Sequence, residues 1–97
     1  MRTEAEGHTF NINYKQANHI SGKRWFEKTN GNTYHSVTIH MKDGTVEHMP
    51  FAYGYEDHYL QTAYDMMGLK PYEGTKGLQE KYQITFSVAD VSRKKDL

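Results

Sequence analysis

Histidine is the residue type in this chain best suited to hold a metal, and the sequence contains six of them. His35, His40 and His48 fall on segments that are predicted to be neighbouring strands. A zinc site needs three or four ligands that converge on one point. The predicted strand register instead puts His40 on the face opposite His35 and His48, and no H-E-x-x-H or comparable spacing is present. We therefore expect no metal and no cofactor.

The residues that carry nucleophilic or acid–base catalysis are also missing. The chain has no cysteine and no Gly-x-Ser-x-Gly motif, which would present a serine nucleophile on a sharp turn. Glu56 and Asp57 are adjacent, so on a helix they would point about 100° apart, which suits the helix dipole better than acid–base chemistry. Residues 74–77, Gly-Thr-Lys-Gly, do not match a phosphate-binding loop. We predict that the protein is not an enzyme and has no catalytic residues.

Tyrosine is frequent, with eight copies, and it is most concentrated in residues 51–59. The candidate residues in this run are three tyrosines and two carboxylates: Tyr53, Tyr55, Tyr59, Glu56 and Asp57. A tyrosine offers a large contact area and a polar tip at a low cost in conformational entropy, which suits recognition. The run is thus predicted to bind a partner. The alternative is a tyrosine-rich edge of the core.

Positive charge alternates with aromatic residues in Lys23, Arg24, Trp25 and Phe26. This combination follows a single nucleic-acid strand by base stacking and phosphate contacts. Against it stands a formal net charge of zero, from 12 basic and 12 acidic residues, whereas domains that bind duplex DNA by phosphate neutralisation are usually basic. Single-stranded nucleic-acid binding is therefore kept as a second hypothesis. Its residues would be Lys23, Arg24, Trp25, Phe26 and Tyr34, with Lys94 and Lys95 as additions from the C-terminal segment.

Two periodicities predict the elements that must position these residues. Alternation of apolar and polar side chains, with many β-branched and aromatic residues, is typical of strands. It predicts strands at 8–15, 24–28, 33–41, 45–49 and 82–88. Asn30-Gly31 and Asp43-Gly44 mark the hairpin turns between the middle three, because both central residues of a type I′ turn need a positive φ.

Residues 55–67 change to a helical period. Leu60, Ala63, Tyr64 and Met67 form one apolar stripe, and Gly68 is suited to end the helix. The segments 16–22 and 69–77 are predicted loops. The order β-β-β-β-α-β indicates an α+β fold, a mostly antiparallel sheet of about five strands with one helix packed on one face. The place of the last strand in the sheet stays open.

The hairpin turns also predict which face each side chain occupies. If both turns contain two residues, Met41 lies opposite Val46 and Trp25 opposite Ser36. The helix-facing core would then include four residues: Val37, Ile39, Met41 and Val46. The other face would carry Trp25, Tyr34, Thr38 and His40. Because a slip of one residue inverts every side chain, the alternative is that Trp25 belongs to the core.

The chain length of 97 residues is that of one domain. Residues 1–7 and 92–97 are expected to be frayed tails. A small secreted domain usually relies on disulfides, so the absence of cysteine favours an intracellular protein. No apolar run approaches the ~20 residues of a membrane span, and residues 1–7 are too polar for a signal peptide. We expect a cytoplasmic location, and the oligomeric state stays open.

The segment 24–37, Arg-Trp-Phe-Glu-Lys-Thr-Asn-Gly-Asn-Thr-Tyr-His-Ser-Val, resembles small proteins encoded by bacteriophages, as do Tyr53-Gly54-Tyr55 and residues 59–63. Together these cover residues 24–63. The size and style also resemble phage-encoded anti-CRISPR inhibitors of a type I surveillance complex. The resemblance implies a non-enzymatic protein that occupies a site on a Cas subunit, in the cytoplasm of the infected bacterium, and blocks target DNA.

Such inhibitors often present carboxylates to a basic DNA channel. With a net charge of zero, this chain would have to use a local set: Glu47, Glu56, Asp57, Asp65 and Glu73. The leading hypothesis is therefore an inhibitor of a host defence complex that works by protein–protein contact. The predicted contact residues are aromatic or acidic: Trp25, Tyr34, Glu47, Tyr53, Tyr55, Glu56, Asp57 and Tyr59.

Overall fold

The computed structural model of the protein describes residues 2–97. The strands in this range are β1 Arg2–Ala5, β2 His8–Asn11, β3 Ala17–Glu27, β4 Asn32–Met41, β5 Val46–Tyr53 and β6 Thr85–Val91. The longest helix, α1, runs His58–Met67. Shorter helical turns lie at Tyr14–Gln16, Gly74–Lys76, Gly77–Tyr82 and Lys94–Asp96.

The main sheet has four strands in the order β5-β4-β3-β6. β4 is antiparallel to both β3 and β5, whereas β6 is parallel to β3. α1 packs on one face of this sheet, and β1 and β2 form a separate hairpin against α1. The predicted α+β class, with mostly antiparallel strands and one helix on one face, is confirmed. The strands are divided between two sheets, so β2 does not join the main one.

The helix follows the predicted apolar stripe, since Leu60, Ala63, Tyr64 and Met67 are all buried. Gly68 ends it with a φ of 70°, and its N–H bonds back to the last turn. The helix begins at His58 rather than at residue 55. The reason is backbone conformation, because Gly54 and Glu56 have φ values of 150° and 53°, which an α-helix excludes.

The core lies between α1 and the sheet, where Ile20, Val37, Ile39 and Met49 are buried. His35 is buried among them and fully hydrogen-bonded: its Nδ1–H donates to the Gly54 carbonyl at 3.1 Å, and its Nε2 accepts from the Thr62 hydroxyl at 2.8 Å. A neutral ring with its proton on Nδ1 satisfies both partners. Burial lowers the pKa of His35, since a buried charge is poorly solvated.

The predicted loop at residues 16–22 is wrong, because from Ala17 onwards this segment is the first half of β3. Its helix-facing positions are Ala17, Ile20 and Gly22, which are small except for Ile20. The positions between them are polar and face away from the helix. A strand with so little apolar bulk lacks the alternation by which strands are recognised.

The turn at Asn30-Gly31 contains four residues, 28–31, rather than two. Glu27 pairs with Asn32, and the Gly31 N–H bonds to the Glu27 carbonyl at 2.9 Å. Trp25 therefore lies opposite Tyr34 and not opposite Ser36. Because the register differs from the predicted one by two residues, Trp25 and Tyr34 still occupy the face away from α1.

The turn at Asp43-Gly44 contains three residues, 42–44, since the Met41 N–H bonds to the Thr45 carbonyl at 2.8 Å. His40 consequently pairs with Val46, one residue away from the predicted register. A shift of one residue turns β5 over. Val46 is exposed, and the predicted core position for it is wrong.

Both predicted tails adopt defined structure in the described residues 2–7 and 92–97. Arg2–Ala5 is β1, with Thr3 and Ala5 buried, and the Thr3 hydroxyl donates to the Met66 carbonyl at the end of α1. Residue 1 lies outside the described range. At the other end, Lys94–Asp96 forms a short 3-10 turn that returns over the sheet. Within residues 2–97, no helix is long and apolar enough to cross a membrane.

Candidate recognition surface on the open sheet face

The face of the main sheet that points away from α1, here called the open face, carries a group of aromatic rings at one end. This group, the aromatic row, consists of Trp25, Tyr34, Phe51 and Tyr53. Trp25 stacks beside Tyr34 with ring centroids 5.8 Å apart, and Tyr34 stacks on Phe51 at 4.7 Å. Tyr53 meets Tyr34 edge-on at 5.6 Å.

Strand register assembles the row from three strands. Tyr34 lies in β4 between its direct partners Trp25 in β3 and Tyr53 in β5. β5 also contains a bulge, because Val37 pairs with Met49 but His35 pairs with Ala52. The extra residue in β5 lies beside Pro50, which has no N–H to give to the ladder. The bulge turns Phe51 onto the open face, next to Tyr34.

The aromatic row is accessible and has a cation beside it. Tyr53 is 57% exposed, Phe51 is exposed, and Trp25 and Tyr34 are half-buried. The Lys94 ammonium, from the C-terminal turn, lies 4.8 Å from the centroid of the Phe51 ring. A cation at this distance over a ring face is a cation–π contact. The predicted tail therefore contributes to the surface.

The other end of the open face is polar and internally hydrogen-bonded. His19 bonds to the Thr85 hydroxyl at 2.6 Å and to the Ser87 hydroxyl at 3.0 Å. The remaining pairs are Ser21 with His40 and Thr38 with His48, each at 2.8 Å. Burial lowers the pKa of His19, helped by His40, and lowers the pKa of His48, helped by Lys23.

The histidines of the main sheet lie on different faces. His40 and His48 lie on the open face, whereas His35 is buried on the helix side, so the predicted grouping of His35 with His48 is wrong. Across residues 2–97, no three His, Asp or Glu side chains come together as a metal would require. The imidazoles instead bond to neighbouring hydroxyl groups.

Charge is unevenly distributed over the open face. Lys23 is exposed at its centre and makes no ion pair within the described residues. Glu27, at the end of β3, accepts hydrogen bonds from the backbone and side chain of Asn30. Asp96 pairs with Arg93 at 3.2 Å. The interior of the face thus presents a cation with no opposing carboxylate.

The predicted contact residues separate into three groups. Trp25, Tyr34 and Tyr53 lie together in the aromatic row. Tyr59 is only 2% exposed and packs on Gly22 under α1, so its predicted role as a contact is wrong. Glu47 pairs with Ile39 on the helix side of β5 and is half-buried.

The third group is the exposed loop before α1, which holds Tyr55, Glu56 and Asp57. Tyr55 is 65% exposed. This loop borders an open cavity of about 460 Å³ on the helix side of the molecule, which Arg24 and Phe26 also line. The loop and the aromatic row therefore belong to different surfaces.

The residues of the nucleic-acid hypothesis do not share one face either. Lys23, Trp25 and Tyr34 lie on the open face. Arg24 and Phe26 lie on the opposite side, where the Arg24 guanidinium bonds to the Asp90 carboxylate at 2.8 Å. Alternation along β3 requires this separation.

Sequence reasoning included Phe51 in the aromatic run 51–59 and Lys94 as an addition to the basic and aromatic segment 23–26, but it did not place either residue on the open face. Pro50 ends the predicted strand, so Phe51 is assigned to no face by its sequence position. Lys94 falls in a predicted tail, and no local pattern indicates that it returns to the sheet. No known protein family, curated protein or solved structure matches this chain.

Proposed function

We propose that this protein is a non-enzymatic binding protein that holds single-stranded nucleic acid on the open face of its sheet. The observation that carries the proposal is the aromatic row, four rings contributed by three adjacent strands. Successive unpaired bases stack on such rings, and stacking tolerates any base sequence because every base has a π-face. A duplex hides its bases from rings of this kind.

The charges on the open face support the same proposal. Lys23 lies at the centre of the face, and Lys94 lies over the Phe51 ring. Phosphates that flank stacked bases would pass close to both cations. Two carboxylates near this face, those of Glu27 and Asp96, have partners within the chain. With two cations available, we expect modest affinity and a salt dependence of about −1.4 in log K against log salt concentration.

Two tyrosines of similar exposure provide a sharp test. Tyr53 is 57% exposed in the aromatic row, and Tyr55, 65% exposed, lies two residues away in the loop before α1. Replacing Tyr53 by alanine should weaken binding of a fluorescent oligothymidylate by about 5- to 150-fold, the loss of one stacked base at about 1–3 kcal/mol. Tyr55→Ala should bind as the wild type does.

The measurement is fluorescence anisotropy with labelled single-stranded DNA and RNA at low salt, where the electrostatic contribution is strongest. A flat anisotropy curve for the wild-type protein with both probes would refute the proposal. Equal loss of affinity in Tyr53→Ala and Tyr55→Ala would show that the aromatic row is not the binding surface.

A second function is favoured by the exposed loop Tyr55-Glu56-Asp57 on the helix side of the molecule. We propose, as the alternative, a phage-encoded inhibitor that acts in the cytoplasm of the infected bacterium. Its carboxylates would occupy a basic DNA-binding site on a subunit of a defence complex, such as a Cas subunit of a type I surveillance complex. An exposed tyrosine beside two carboxylates suits such a contact.

Affinity capture from host lysate, followed by mass spectrometry and a phage survival assay, tests this alternative. We expect a Cas or other defence protein to be recovered with the wild-type chain and lost with a Glu56→Gln/Asp57→Asn variant. Tyr53→Ala is the control and should retain the partner. Recovery of no defence protein, with unchanged phage survival, would remove this function.

A further inference from the structure

A depression of about 210 Å³ lies at the centre of the open face, between β3, β4 and β6 and close to the aromatic row. The polar side chains that line it are Ser21, Lys23, Ser36, Thr38, His48 and Ser87. Strand register brings them together, because Lys23 pairs directly with Ser36 and Thr38 pairs directly with His48. No carboxylate lines the depression.

Ser36 differs from the other hydroxyl-bearing residues around it. The hydroxyls of Ser21, Thr38 and Ser87 each have a histidine partner. Ser36 is only 2% exposed, and its hydroxyl has no hydrogen-bond partner within residues 2–97. Because Ser36 lines the depression, its hydroxyl can donate to a group that binds there.

Lys23 provides the charge of the site. Apart from His48, it is the only ionisable side chain that lines the depression, and it makes no ion pair within the described residues. Its ammonium is close enough to contribute, after burial, to the lowered pKa of His48. A lysine with neighbouring hydroxyl donors and no carboxylate is a donor set for a phosphate oxyanion.

We infer that this depression is a phosphate subsite, in which the Lys23 ammonium and the Ser36 hydroxyl bind one phosphate group. The inference rests on the proposed function and names the group of the nucleic acid that this part of the face binds. Lys23 and Ser36 are each two residues from a ring of the aromatic row, a distance of about 7 Å along a strand. One nucleotide can therefore stack on Trp25 or Tyr34 and place its phosphate here.

Two conservative substitutions test the subsite, Lys23→Gln and Ser36→Ala. Matched controls are Lys28→Gln and Ser92→Ala, which change exposed residues outside the depression. With fluorescent oligothymidylate, Lys23→Gln should weaken binding at least about fivefold and reduce the salt slope by about 0.7, the loss of one phosphate contact. Ser36→Ala should weaken binding without changing the slope, and both controls should match the wild type.

A second measurement uses inorganic phosphate as the probe, with chloride at equal ionic strength as the reference. The amide resonances of Lys23 and Ser36 should shift and saturate with phosphate in the wild type and remain still in Lys23→Gln. Thermal unfolding of each variant confirms that it is folded. Inorganic phosphate has no base to stack, so this measurement tests the phosphate site without the aromatic row.

The outcomes separate the two proposals. If the oligonucleotide binds through the aromatic row but Lys23→Gln and Ser36→Ala match the wild type, the phosphate subsite is overturned and the proposed function survives. If no oligonucleotide binds, the proposed function fails. The phosphate titration then decides the subsite alone: saturating shifts at Lys23 and Ser36 support it, and their absence overturns it.

Discussion

Gly22 lies in the middle of β3 on the helix side of the sheet, where the ring of Tyr59 packs directly against its backbone. A β-carbon at this position would lie 2.4, 2.8 and 3.0 Å from three atoms of that ring. Carbon atoms in ordinary contact are about 3.5–4.0 Å apart. In a Gly22→Ala variant, the ring and strand would have to separate by about 1 Å.

The expected cost follows from how firmly Tyr59 is held. The ring is 2% exposed and is carried by α1, so it moves only if the helix shifts or the ring leaves its rotamer. Overpacking of this kind costs about 1–3 kcal/mol. The reduced backbone freedom of the unfolded alanine chain offsets about 0.4–1 kcal/mol of this. We expect a net loss of about 1–2 kcal/mol in the free energy of unfolding.

Urea denaturation followed by circular dichroism measures this loss, with an unchanged m-value as the sign that both states keep their compactness. For a chain of this size, the melting temperature should fall by about 5–15 °C. Tyr59→Ala removes the ring atoms that clash, so Gly22→Ala should cost at least about 1 kcal/mol less in the Tyr59→Ala background. A Gly22→Ala cost that is absent, or equal in both backgrounds, would refute the reasoning.

Two further predictions concern His35 and Thr3. Burial lowers the pKa of His35 in the folded protein below the ordinary 6.5. As the pH falls, the His35 imidazole of the unfolded chain is therefore protonated at a higher pH than that of the folded chain. The contribution of His35 to the free energy of unfolding is full above pH 6.5 and declines below it. His19 and His48 have lowered pKa values as well. The His35→Gln variant should therefore lose less stability than the wild type between pH 7.5 and 5.5, measured by urea titration, but it should still lose some. A pH profile of stability equal to that of the wild type would contradict this. Thr3→Val removes the buried hydroxyl that donates to Met66 and should cost about 0.5–1.5 kcal/mol in thermal unfolding. The exposed Thr9→Val is the control, and equal stability of the two variants would contradict a role for the Thr3 bond.

Much of the fold was predictable because its signals are local. The stripe of Leu60, Ala63, Tyr64 and Met67 specifies a buried helix, and Gly68 specifies its end, from the side chains of a single segment. The positions of the hairpin turns also follow from short motifs. The aromatic row was partly predictable for a related reason, since the register error at the first turn is an even number of residues and leaves Trp25 and Tyr34 on their predicted face.

The sequence by itself determined the α+β class and the position of the helix. It also determined that Trp25 and Tyr34 lie on the sheet face that points away from the helix. The tertiary structure alone decided that a bulge adds Phe51 to that face, that Lys94 returns over it, and that Lys23 and Ser36 line one depression. The physical reason is that strand register, bulges and chain ends are set by contacts between residues far apart in sequence. Many registers are locally acceptable, and only the packing of the whole core selects one of them.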